Sequence, residues 1–83
     1  MLQQTTGKQT LGVEIILRNK ATGFMARHLV KGTWTTERGA LKAAERVGLR
    51  DHAWLAEGNA DMFIYGHVVN RATGEVVTGI AIL

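Results

Sequence analysis

The residues whose types could do catalytic chemistry are few: three histidines and one acid–base neighbour pair. His28, His52 and His67 are the candidate metal ligands. Zinc sites gather Cys and His at short, regular spacings. These three are scattered along the chain, and the sequence contains no Cys. Asp51 and His52 are adjacent, and both types can move protons. An Asp at that place equally suits the start of a short helix, where its carboxylate accepts from free backbone N–H groups. No nucleophile motif and no phosphate-cradling glycine loop that opens a helix is present. The expectation is a chain with no catalytic residues, metal, cofactor or small-molecule substrate.

A second chemistry is charge. The formal net charge is +3 with a pI near 9.8, which suits a nucleic acid or an acidic protein face. Arg18, Lys20, Arg27 and Lys31 cluster in one stretch, with Lys8 upstream, Arg71 in a later loop and Trp34 close by in sequence. Such a basic segment can follow a phosphate backbone while an aromatic ring stacks on a base. Arg38, Lys42 and Arg46 add to it, but Glu37 and Glu45 dilute them. No recognition-helix or RNA-binding signature accompanies these cations.

The elements that carry these residues follow from periodicity. Residues 1–10, "MLQQTTGKQT", are polar and read as a flexible arm; residues 11–83 read as one domain. "LGVEIILR" and "FMARHLVK" alternate as strands. In the first, Leu11, Val13, Ile15 and Leu17 share one face. In the second, Met25 and Leu29 oppose Phe24, Ala26, His28 and Val30. The period then lengthens. Ala40, Leu41, Ala44 and Val47 fall at helical spacing, with Thr35 or Thr36 as N-cap and Glu37 at the positive end of the helix dipole. Gly48 is expected to end this helix in a left-handed conformation. Asp51 is expected to cap a short turn carrying Trp54 and Leu55, ended by Gly58. "MFIYGHVVN" and "EVVTGIAIL" complete a β-β-α-β-β order. The predicted fold is α+β: a four-stranded antiparallel sheet with one main helix on one face. The small side chains of the helix stripe predict close packing on that sheet.

The motif "NKATG" at residues 19–23 returns as "NRATG" at residues 70–74. Asn can bond the backbone two residues on, and Gly supplies positive φ, so both read as hairpin turns. The apolar positions also agree on both sides of the two turns, as they would in a duplicated hairpin.

One helix covers one sheet face, so the other face should alternate polar residues. Strands one and two partly do, through Glu14, Arg18, Arg27 and Lys31. Strands three and four do not: Phe63, Tyr65 and Val69 oppose Met62, Ile64 and Val68, and Val77, Ala81 and Leu83 oppose Val76, Ile80 and Ile82. An apolar surface of this kind needs a cover: the Trp54–Leu55 segment, the arm, a second copy of the chain, or another protein. Trp54, Phe63, Tyr65 and Val77 are therefore the expected partner-binding residues, because aromatic anchors dominate interfaces. No apolar run reaches the roughly 20 residues of a membrane helix. The start lacks a signal-peptide pattern. A cytoplasmic protein is expected.

The small size, the absence of Cys and Pro, the hairpin–helix–hairpin order and the missing catalytic constellation resemble the small accessory proteins of phages and mobile elements. Anti-CRISPR proteins and phage inhibitors of host enzymes are of this kind. The resemblance is one of build, so no functional residue carries over. It implies steric blocking of a host protein complex in the host cytoplasm. Many such proteins are acidic. The basic balance here removes DNA mimicry and leaves an acidic or nucleic-acid-linked target. The expected function is a non-enzymatic protein-binding module acting through a sheet face or edge, possible homodimerisation included. The alternative is a nucleic-acid-binding module working through Arg18, Lys20, Arg27 and Lys31.

Overall fold

The structure, a computed structural model, describes residues 10–83; the predicted arm lies outside them except for Thr10. Strand β1 (Leu11–Asn19) turns into β2 (Met25–Leu29). Helix α1 (Glu37–His52) follows, extended by a 3₁₀ turn at Ala53–Ala56. Strands β3 (Met62–Asn70) and β4 (Val76–Ala81) close the chain. The sheet order is β2-β1-β3-β4 and every pairing is antiparallel. The expected α+β fold with β-β-α-β-β order is therefore the observed one. The central pair is β1 with β3, in register from Leu11 opposite Asn70 to Asn19 opposite Met62. Each hairpin thus supplies one central strand and one edge. Among the described residues, no helix is long and apolar enough to cross a membrane.

Alternation along β1 and β3 sends Leu11, Val13, Ile15, Ile64 and Val68 toward α1, where all five are fully buried. Ala40, Ala44 and Val47 meet them from the helix. The small stripe does bring the layers close. A Cβ placed on Gly66 would stand 2.7 Å from the Ala44 Cβ, so the glycine is what lets α1 sit down on β3. Thr36 is the N-cap: its Oγ1 accepts from the Gly39 N–H at 3.1 Å.

Three local expectations are corrected. Gly48 does not end the helix; it is buried inside α1, four residues before the end. Its flank is filled by Ile82, whose Cδ1 would lie 2.6 Å from an added Cβ. Tertiary packing overrides the stop signal here. Asp51 caps no new turn, because it belongs to α1 and the 3₁₀ turn that follows has no side-chain cap. Val76 does not join the helix-facing set. A bulge shifts the register between Val68 and Val69 and pairs Val76 with Val69, on the opposite face. Gly58 does take a left-handed φ of +67°.

The repeated motif is the same turn built twice. Asn19 Oδ1 accepts from the Ala21 and Thr22 N–H groups at 2.9 and 3.1 Å. Asn70 Oδ1 accepts from Ala72 and Thr73 at 2.9 and 3.3 Å. Gly23 and Gly74 follow with φ of +78° and +79°, donating to the Asn19 and Asn70 carbonyls at 2.9 and 2.7 Å. No atom lies within 4 Å of a Cβ built on either glycine, so only backbone strain opposes a side chain. Gly23→Ala and Gly74→Ala should each lower unfolding free energy by about 1–2 kcal/mol. Matching urea melts check this; a difference much larger than 1 kcal/mol between the two would break the equivalence of the turns.

Candidate functional site

No described element covers the sheet face opposite α1, although Ile16 and Val69 within it are buried by their neighbours. The 3₁₀ turn does not cover it, since Ala56 packs against the helix-side core and the Trp54 indole N–H donates to the Asp51 carbonyl of α1 at 2.9 Å. Register places this face in rows across the four strands. One row is Leu29, Glu14, His67 and Gly79. The next is Arg27, Ile16, Tyr65 and Ala81. A third is Met25, Arg18 and Phe63.

Two aromatic rings stand on the central strand β3, toward the end of the face that carries the first hairpin turn. Phe63 and Tyr65 occupy alternate positions of β3 and so point the same way. Their rings are nearly parallel, 10° apart in plane, with centroids separated by 6.4 Å. Arg18 lies directly across from Phe63 on β1. Lys20, on the first hairpin turn, is tied to the segment leading into β3, its N–H donating to the Asp61 carbonyl at 2.8 Å. Its Nζ then stands 5.9 Å from the Phe63 ring centroid, within cation–π range. These four side chains line a cleft of about 200 Å³.

More positive charge lies along the face, Arg27 near the cleft and Arg71 at the far end of β1. Arg27 is one strand away, 3.7 Å from Glu14. At that length, and with Arg27 about two-thirds exposed, the pair holds the guanidinium only weakly. Arg71 crosses the face beside Gly12: a Cβ on Gly12 would meet the Arg71 Cδ at 2.6 Å. A glycine inside a strand was the sequence signal for that close approach. Four cations, Arg18, Lys20, Arg27 and Arg71, thus lie on the face, Arg27 beside the carboxylate of Glu14.

The structure therefore joins Phe63 and Tyr65 to Arg18 and Lys20, with Arg27 adjacent. The remaining candidates stand apart. Trp54 is 65% exposed but belongs to the helix layer. Val77 lies at the β4 bulge, outside the aromatic cluster. Lys31 is exposed beyond the end of β2. Trp34 is not free to stack on a ligand: it bridges Leu11 through two backbone hydrogen bonds and packs against the core.

The catalytic candidates can also be placed. Arg50 donates to both oxygens of Asp51, from Nε at 2.8 Å and Nη2 at 3.0 Å. Those hydrogen bonds hold the Asp51 carboxyl below the usual carboxylate range, and they face it toward Arg50 as its partner. His28 of β2 meets His52 at the end of α1 edge to face, centroids 5.5 Å apart, a contact that their separation in sequence hid. His67 lies on the other face of the sheet. Among the described residues no three His, Asp or Glu side chains come close enough to hold a metal ion. Comparison with known proteins gives no matching family model, curated protein or solved structure.

Proposed function

We propose that the chain is a non-enzymatic binding module that holds single-stranded nucleic acid on the open face of its sheet. The observation that carries this reading is the parallel Phe63–Tyr65 pair flanked by Arg18 and Lys20. Each base has a π face, so two half-buried rings one pleat apart, each open on the cleft side, offer places for two neighbouring bases. The surrounding cations meet the phosphates on either side. A duplex keeps its bases stacked internally and offers the rings nothing, so the platform favours single strands. Action in the cytoplasm goes with this reading.

A second reading is a protein partner, the blocking role that the build of the chain suggests. Its own observation is the apolar margin of the face, where Met25 and Leu29 on β2 are 58% and 52% exposed. Such side chains add interface area and nothing to phosphate binding.

Fluorescence anisotropy with a labelled short oligothymidylate, the same length of oligouridylate, and a matched duplex tests the first reading. The single strands should bind more tightly than the duplex. Affinity should fall with salt at a logarithmic slope of about −0.7 for each phosphate neutralised, hence near −2 to −3 for three or four contacts. Duplex binding as tight as single-strand binding would remove the stacking role. No binding of any oligonucleotide at low salt would remove nucleic acid and leave the protein reading.

A further inference from the structure

The two edges of the sheet are unlike. β2 is five residues long and carries Arg27 and His28. A short strand with charge is a common guard against unwanted pairing. β4 is nearly as short, six residues with a bulge at its start, but it carries no charge. Residues 76–83, "VVTGIAIL", contain no charged side chain and no proline. Among the described residues nothing pairs with the outer side of β4, so its free N–H and C=O groups face outward.

Beside that edge runs a groove of about 390 Å³, bounded by α1 and lined by Leu41 and Ile80 with Glu37, Arg38, Lys42 and Glu45 around them. It exists because α1 lies mainly over β1 and β3 and reaches β4 less fully. The groove has an apolar floor, and its two acids balance its two bases. This charge pattern is unlike that of the open face, and it does not attract a polyanion. It fits an uncharged strand with apolar side chains at alternate positions on the helix side. β4 is itself uncharged and mostly apolar on that side: it presents Thr78 and Ile80 toward the helix layer, and Ile82 follows them.

We infer that β4 pairs antiparallel with β4 of a second copy, joining two sheets into one of eight strands. The contact is the same patch on both copies, as a two-fold axis requires. Each strand supplies the hydrogen-bond partners that the other lacks. The helix-side residues of one copy then extend over the groove of the other, against Leu41. Two uncharged strands meet without like-charge repulsion, and the neutral groove rims add none. The open faces of the two copies become continuous, so two Phe63–Tyr65 platforms would lie on one surface. The pairing itself does not depend on what those platforms bind.

Light scattering across a concentration series, combined with cysteine cross-linking, tests this on the full chain. The mass should be twice 9.1 kDa for the wild type and should fall to the single-chain value for Thr78→Lys. Because the chain has no Cys, single replacements report cleanly. Among Val77→Cys, Thr78→Cys and Ile80→Cys, the position nearest the two-fold axis should form a disulfide with its own copy under mild oxidation. Arg27→Cys on β2 should not. The near-isosteric Thr78→Cys keeps the test valid if Thr78→Lys fails to fold. A monomer throughout the series overturns the inference, whether residues 1–9 or nothing occupies the edge. A dimer unchanged by Thr78→Lys and cross-linked only through β2 overturns it as well.

Discussion

Phe63→Ala combined with Tyr65→Ala should weaken binding of a short single strand at least thirtyfold. Each stacked base is worth about 1–3 kcal/mol by alanine substitution, and every 1.4 kcal/mol is a factor of ten. The two rings stand side by side at 6.4 Å, so both should contribute. The loss should appear as one affinity change with the salt slope preserved, because no phosphate contact is removed. Arg18→Ala and Lys20→Ala should behave in the opposite way, each flattening the slope by about 0.7. Lys20 also sits over the Phe63 ring, so its removal should cost some stacking too. A replacement of both rings by leucine separates the two readings of the face. It keeps apolar bulk on β3 and removes the π faces. Binding through stacking should be lost, whereas an apolar protein contact should largely persist. Anisotropy titrations of the alanine and leucine pairs, checked by circular dichroism for an intact fold, read all of this.

Gly66→Val should destabilise the domain enough to unfold much of it at room temperature. The added Cβ would fall 2.7 Å from the Ala44 Cβ and 3.3 Å from Ile80 Cγ2. A methyl carbon fixed to a helix backbone has no rotamer to escape into, so α1 has to lift off β3. Overpacking a tight core costs about 1–3 kcal/mol, and valine adds more bulk than the first methyl. A domain of this length has little margin, near the lower end of the usual 5–15 kcal/mol. Gly66→Ala should show the smaller form of the same effect. Ala44→Gly should relieve it at a helix-propensity cost of about 1 kcal/mol. Urea unfolding of the two single variants and the double variant gives the coupling. If Gly66→Ala leaves stability unchanged, the close approach of α1 to β3 is not what holds the layers together.

Much of this fold was legible because its signals are local. The Asn-x-Ala-Thr-Gly turns bond within themselves, the Thr36 cap reaches only to Gly39, and the alternation of Leu11, Val13 and Ile15 needs no distant partner. Gly48 was misleading because the reason it sits inside α1 is Ile82, far along the chain and on the other side of the packed layer. Val76 was misplaced because a bulge breaks the two-residue period, and no residue type marks it. The site divides in the same way. The cations of the first hairpin and the aromatics of β3 each stood out in the sequence, but as parts of two alternative surfaces. Only the pairing of β1 with β3, which sets Arg18 opposite Phe63, makes them one. Periodicity assigns residues to faces and says nothing about strand order. The same gap made Trp34 and Trp54 look like free aromatic anchors, when the first bridges β1 and the second belongs to the helix layer.

The most direct test is amide chemical-shift mapping on the labelled full chain titrated with a short oligothymidylate or oligouridylate. The account predicts saturable shifts concentrated at Arg18, Lys20, Arg27, Phe63 and Tyr65, with Arg38, Lys42 and Arg46 on α1 left unmoved. Shifts clustered on α1, or none at low salt, would contradict the open face of the sheet as the nucleic-acid surface.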